Sequence, residues 1–265
     1  MKKIGSEYEF VSEKDTLFKK DKLDESKINN ASADVPLLSV RELSKSYGSI
    51  KAVSSLSLDV SKGRVVGLLG PNGSGKSTLL KLINGVMTKD AGEILFMGRR
   101  CGVESRRSIA YLPEKNSLPL YFTVSEAIGF YEDFFVDFER ERAERIIEDF
   151  SISNHHKIKV LSKGAKEKLA LALTMSRRAK LYILDEPISG VDPAARDYII
   201  DTVLKNIPED SSVIIATHFI SDIERIMDEF VFMKYGEIYA HSTPEDVRKK
   251  YGKSVDGYFR EVFRC

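Results

Sequence analysis

Cysteine, net charge and long apolar runs are all scarce in this chain of 265 residues, and each scarcity closes off a class of protein. The two cysteines, Cys101 and Cys265, stand far apart and match no metal or redox spacing, so no disulfide framework is expected and a reducing compartment fits. Cys265 ends the chain, but Phe-Arg-Cys is not a prenylation motif. No stretch approaches the roughly 18 apolar residues of a membrane span, and the start, Met1 to Glu7, carries charges without an apolar leader segment. Lys plus Arg number 41 against 40 Asp plus Glu, a formal net charge of +1, so no global field favours nucleic acid or an anionic membrane surface. The local pairs Arg99-Arg100 and Arg106-Arg107 read as solvated faces, and His155-His156 lacks further metal ligands at usable spacing. A cytoplasmic chain is expected; work at a membrane would need another component as anchor.

What is present is a hydrophobic fraction of 42%, enough for a substantial core. Residues 1 to 35 are polar and without apolar period, and read as a disordered arm. From Pro36 short apolar strands begin, Leu37 to Leu43 and Val53 to Val60, with Ser44 to Gly48 read as the turn between them. Tyr47 in that turn reads, on its own, as a packing residue or a ligand contact.

The most informative stretch follows the apolar run Val65 to Leu69. Gly70-Pro71-Asn72-Gly73-Ser74-Gly75-Lys76-Ser77, continued by Thr78, is a glycine, four residues, then Gly-Lys-Ser, set between a strand and a helix. A triphosphate crowds negative oxygens together, so its binder needs many backbone N–H donors, with glycines permitting close approach. The helix beginning near Lys76 adds unpaired N–H groups and the positive end of its dipole. Lys76 can reach the terminal phosphates, and the Ser77 hydroxyl can enter the coordination shell of Mg²⁺.

Further on, Gly92 to Gly98 and Ile109 to Glu114 read as strands, the second ending at Pro113 and Glu114. Thr123-Val124-Ser125-Glu126 is a capping box opening a helix with Phe130, Phe134 and Phe138 every four residues; that stripe reads as core packing, with a docking groove for a partner helix as the alternative. Glu139 to Asp149 is a charged helix, and Leu161 to Ala165 precedes a long one. Two continuous apolar runs, Leu181 to Glu186 and Val213 to His218, read as parallel strands covered on both faces. Thr243-Pro244 opens a last short helix. The fold class is therefore α/β, with a parallel-sheet core, a small N-terminal antiparallel sheet and a helical insertion near 115 to 175. In such sheets ligands bind beyond the carboxyl ends of the strands, where the P-loop, Glu114, Asp185, Glu186 and His218 all fall.

This constellation resembles the nucleotide-binding subunit of ABC transporters, bacterial export type, over roughly residues 36 to 250, leaving 251 to 265 as a tail. Gly70 to Ser77 resembles the family's Walker A, Leu181 to Glu186 its Walker B, Leu161-Ser162-Lys163-Gly164-Ala165 its signature, Ser189 to Asp192 its D-loop and His218 its switch histidine. The resemblance implies a P-loop NTPase fold and ATP hydrolysis with Mg²⁺. Tyr47 would stack on adenine, Ser77, Glu114 and Asp185 would serve the metal, and Glu186 would polarise the attacking water. His218 would contact the γ-phosphate, and Ser162, Lys163, Gly164 and Asp192 would act across a head-to-tail dimer. It also implies a homodimer or a heterodimer with a related subunit, no nucleic acid, and attachment to the cytoplasmic face through an integral membrane permease.

Two positions depart from the family pattern. The signature reads Lys163 and Ala165 where Gly and Gln are usual, and Glu114 stands where Gln is usual, adding negative charge beside Glu186. Lys163 adds phosphate or interface charge, or is merely solvated. Rival readings are a soluble ATPase of the same family acting on nucleic acid or ribosomes, and a non-hydrolysing regulatory module; the intact Glu186 and His218 speak against the second.

Overall fold

The computed structural model describes residues 35–115 and 118–263; residues 1–34, which make up the polar arm up to Asp34, positions 116 and 117, and the last two residues including Cys265 lie outside the described residues. β1 (Leu38–Tyr47) and β2 (Ile50–Val60) form an antiparallel hairpin. β3 (Val65–Leu69) leads through the P-loop into α1 (Lys76–Ile83). β4 (Ala91–Phe96) and the two-residue β5 (Arg99–Arg100) complete a four-stranded sheet in the order β2-β1-β4-β5. After α2 (Val103–Arg107) and β6 (Ile109–Leu112) come three helices, α3 (Val124–Phe134), α4 (Arg140–Asp149) and α5 (Lys163–Met175). β7 (Leu181–Asp185), α6 (Pro193–Lys205), β8 (Ser212–Thr217), α7 (Ile220–Ile223), β9 (Glu229–Lys234) and β10 (Glu237–Ser242) follow, and α8 (Pro244–Tyr251) and α9 (Val255–Phe263) close the described chain.

The second sheet has the order β10-β9-β3-β8-β7-β6, parallel from β9 to β6, with β10 antiparallel at one edge. Its strands alternate faces with period two, as a pleated backbone requires. Val66, Leu68, Leu181, Ile183, Ile214 and Ala216 pack toward α1 and the antiparallel sheet. Tyr182, Leu184, Val213, Ile215, Phe230 and Phe232 pack toward the helices on the other side. Both faces are dry, which is why these runs are apolar throughout.

Register then fixes where the chemistry falls. Leu69 pairs with Thr217 across β3 and β8, and Asp185 with Ala216 across β7 and β8. The residues that leave these strands, Gly70, Glu186 and His218, therefore emerge side by side at the carboxyl edge.

Three expectations are corrected. Ser44 to Tyr47 continue β1, pairing through Lys45–Val53, Ser46–Lys51 and Tyr47–Ile50, because the turn needs only Gly48, at φ +58°, and Ser49. The Phe stripe divides: Phe134 is 70% exposed and Phe130 47%, while α3 buries Val124, Ala127 and Ile128 on its other side, and Phe138, beyond the end of α3, packs against the core. The segment expected as a tail carries α9, whose Val255 and Tyr258 are buried and whose Tyr258, Phe259 and Phe263 rings pack on Phe232. α8 starts at Thr243-Pro244 as expected but is not the last helix.

Candidate functional site

The P-loop wraps its own lysine. Lys76 is buried, and its Nζ donates to the carbonyls of Gly70 at 2.6 Å and Pro71 at 3.2 Å. Burial pushes the ammonium below its ordinary pKa, while Glu186, Asp185 and Glu114 pull it back up. The loop around it depends on missing side chains at two positions. A Cβ on Gly70 would collide with Met233 O and Ser74 Oγ, and one on Gly75, at φ +106°, with Ala52 O. Gly73, at φ +80°, faces open space.

Opposite Lys76 stand the carboxylates. Asp185 ends β7 almost fully buried, and Ser77 Oγ donates to its Oδ1 at 3.1 Å. Its Oδ2 and Ser74 Oγ are buried without a hydrogen-bond partner among the described residues. Burial is the main reason the Asp185 carboxyl is pushed up to about 6; the Ser77 bond opposes this, and the charges of Glu114 and Glu186 add to it. An orphaned carboxylate oxygen beside a serine hydroxyl is the donor set that a small hard cation completes with phosphate and water. Mg²⁺ and a nucleotide phosphate thus fit the residues at this edge.

Glu186 leaves β7 at φ +54°, a left-handed conformation unusual for a residue with a Cβ. Its N–H is anchored on Ala216 O at 2.8 Å. Its carboxylate accepts from Thr217 Oγ1 at 3.1 Å and meets His218 Nδ1 at 3.0 Å. An ionised carboxylate only accepts, so this contact with such a carboxylate requires the hydrogen on Nδ1. His218 is backed by Phe219, ring centroids 3.9 Å apart, and Phe219 by the Arg196 guanidinium at 3.9 Å, itself paired with Asp222 at 3.0 Å.

The remaining expected residues are placed differently. Glu114 is exposed on the loop after β6, and its charge raises the pKa of the Asp185 carboxyl and of the Lys76 ammonium; among the described residues no group of three His, Cys, Asp or Glu is gathered to hold a metal. Tyr47 is half exposed near the hairpin tip, its hydroxyl on Met87 Sδ at 2.9 Å, and the following loop secures that strand through Asp90 to Lys45 Nζ and Ser46 N–H, both at 2.7 Å. Asn72 is exposed; Pro71 and Thr78 are part-buried. Ser162 caps α5, accepting from Ala165 N–H at 3.2 Å. Lys163 points outward, 3.9 Å from Glu167. Gly164 lies against Gly190 O, and Gly190 in turn has the Glu167 carboxylate flat upon it. Asp192, exposed ahead of α6, accepts Ala195 N–H through its carbonyl at 2.9 Å. The signature residues thus engage their own helix and the Gly190 loop, and take part in none of these P-loop contacts. Thr217, Met87 and Glu167 went unnoticed in the sequence; of these only Thr217, at the end of a buried strand beside His218, carried a usable signal.

The family description "ABC transporter" matches residues 53–189. This chain belongs to the ABC transporter family. It is 31% identical over 214 residues to an uncharacterized ABC transporter ATP-binding protein, YdbJ, of Bacillus subtilis, covering 77% of this chain and 68% of that protein. It is 33% identical over 224 residues to the lipopolysaccharide export system ATP-binding protein LptB of Haemophilus influenzae, covering 80% and 92%. A solved structure titled as the ATP binding subunit of an ABC transporter superposes with a TM-score of 0.76 at 29% identity, over 86% of this chain and 99% of that one. The chain is accordingly an ATP-binding subunit built on the P-loop α/β fold. Among the described residues no helix is long and apolar enough to cross a membrane.

The Asp185 carboxyl gives a test of the site's electrostatics. Its folded pKa, about 6, lies above the unfolded 3.8, so the nucleotide-free fold binds an extra proton between those values and loses that stabilisation as pH rises through 6. Asp185→Asn should therefore raise the melting temperature of the nucleotide-free chain at pH 8 and do so less at pH 5; an equal shift at both would show that Asp185 is not strained by its surroundings.

Proposed function

We propose that this subunit hydrolyses ATP with Mg²⁺ at two composite sites of a head-to-tail dimer, and that the resulting closing and opening drives a separate membrane permease in the export direction. The observation that carries this reading is a division within one chain. The phosphate cradle, Asp185, Glu186 and His218 share one edge of the sheet, while Ser162 and Lys163 stand exposed at the start of α5. The first N–H groups of a helix have no intrahelical partner, and Ser162 Oγ takes only that of Ala165. The amides of Lys163 and Gly164 therefore suit an anion presented by another protomer.

The chain's own residues take clear parts in such a site. Lys76 leaves the Gly70 and Pro71 carbonyls for the terminal phosphates. Ser77 and Asp185 would hold Mg²⁺, which when bound would neutralise phosphate charge. Glu186, aimed by its left-handed backbone and by Thr217, orients the attacking water and accepts its proton in part. His218 already donates through Nδ1 to Glu186, so it offers a hydrogen to a phosphate oxygen from Nε2 only with both nitrogens protonated. ATP favours the closed dimer because only closure supplies the second set of donors, and loss of the γ-phosphate removes that preference.

The permease has a candidate seat. Leu120, Tyr121, Phe130, Phe134 and Val136 are exposed large apolar side chains, on α3 and the segments flanking it downstream of Glu114. A contiguous aromatic face of this kind is costly in water and suits a partner helix. Export is favoured by the resemblance to LptB, whose name places it in an export system.

Two experiments test this reading. Glu186→Gln should lower kcat by about 100-fold or more, a few kcal/mol of barrier, with ATP affinity retained, and gel filtration with ATP and Mg²⁺ should show a dimer that ADP does not support; unchanged turnover would favour a regulatory module. Tyr121→Ser with Phe134→Ser should abolish co-purification with a multispanning protein from detergent extracts while leaving ATP binding intact. A wild-type chain that never co-purifies with such a protein would overturn the transport assignment.

A further inference from the structure

β6 is the edge strand of the six-stranded sheet. It has four residues, pairs as a strand with β7 alone among the described residues, and leads directly to Pro113 and Glu114. An edge strand this short needs support beyond its ladder. That support comes from Arg177, which follows α5 and is 95% buried. Its Nη1 donates to Ile109 O at 2.7 Å and its Nη2 to Arg107 O, so one guanidinium holds two carbonyls at the entrance to β6.

The same guanidinium binds the helical insertion. Nε and Nη2 donate to the two carboxylate oxygens of Asp137, each at 3.0 Å, and the Phe135 ring lies 4.1 Å from its carbon. Backbone bonds run in parallel: Arg178 N–H to Asp137 O and Glu139 N–H to Ser176 O, both at 2.8 Å. The α3–α4 connection, the end of the helix that begins with the signature, and the start of the strand that leads to Glu114 thus meet at one side chain. Beside it the contact between core and insertion is open. A cavity of about 260 Å³ is lined by Asn84 and Tyr111 on the core side and Tyr131 and Phe135 on the insertion side. The buried Tyr111 hydroxyl has no hydrogen-bond partner among the described residues. A firm anchor next to an unfilled space is the geometry of a pivot.

We infer that Arg177 is a positioning residue that ties the helical insertion to β6, so that a displacement of the insertion is delivered to Glu114. The inference rests on the ATPase reading. Lysine cannot replace it, because five donors in a planar fork serve Asp137, Ile109 O and Arg107 O together, whereas an ammonium is a single point. Loss of the link leaves the P-loop intact, since Lys76, Ser77 and Asp185 make none of these bonds.

The test compares wild type, Arg177→Met, Glu114→Gln and the double variant of the full chain, measuring kcat, KM and, separately, the Kd of a fluorescent ATP analogue. Arg177→Met should lower kcat about tenfold or more, about 1.4 kcal/mol, with the analogue's Kd within about twofold. Its effect should also shrink in the Glu114→Gln background, because a residue acting through Glu114 has less to act on once that carboxylate is gone. Arg177→Lys should recover part of kcat only. Effects of Arg177→Met that simply multiply with those of Glu114→Gln, or a kcat unchanged by Arg177→Met, would overturn the inference. So would parallel loss of kcat and nucleotide affinity, the mark of a merely structural residue. Should Arg177→Met fail to fold, Asp137→Asn, which keeps the carbonyl bonds and weakens the anchor, carries the same cycle and the same outcomes. If Glu186→Gln has shown no turnover to lose, the ATPase reading has failed; if turnover is present but the cycle is additive, only the pivot has.

Discussion

Asp185 and Lys76 are held where neither charge is comfortable. The lysine is buried within a loop of carbonyls, and the aspartate is buried at a strand end with one oxygen on Ser77 and the other orphaned, Glu186 following it and Glu114 within electrostatic range. Desolvation disfavours both charged forms, and their mutual attraction only partly offsets it. Such a site is completed by a polyanion for the lysine and a cation for the aspartate, which a metal-bound nucleoside triphosphate brings together. The register Leu69–Thr217 and Asp185–Ala216 imposes this crowding, because it delivers three strand ends to the same place. The rest of the fold supports that alignment with two dry faces.

Strain elsewhere in the site has the same origin. Glu186 adopts a positive φ to turn its carboxylate toward Thr217 and His218, and it holds that conformation because Ala216 O fixes its N–H. The loop it begins runs to Gly190, which touches both Gly164 and Glu167 at the signature helix. The loop that begins at Glu186 is thus packed directly on the signature helix within one protomer. In the proposed dimer that packing joins the two nucleotide sites, since each protomer's signature would serve the other's ATP.

Much of this was legible before any coordinate. The P-loop declares itself through its glycines and its position between strand and helix, and buried parallel strands declare themselves through unbroken apolar runs. What stayed hidden depended on direction or distance. Four-residue spacing identified the α3 phenylalanines as one face but could not say which way it points; Val124, Ala127 and Ile128 took the core. Lys45, Ser46 and Tyr47 lack apolar alternation because their stretch of hairpin is only partly buried and its pairing register shifts there, so they read as a turn. α9 holds by aromatic contacts to Phe232, far away in sequence. Arg177 gave no motif at all, since its role comes from partners about 40 and 70 residues distant.

The account stands or falls on a site shared between two chains. The direct measurement is ATP turnover in mixtures of Lys76→Ala chains, which keep a working signature, with Gly164→Asp chains, which keep a working P-loop. Each variant alone should be inactive, and an equal mixture should recover about a quarter of the wild-type rate, because half the dimers are mixed and each holds one intact site of two. No recovery at any mixing ratio, with both variants folded and dimer-competent, would contradict it.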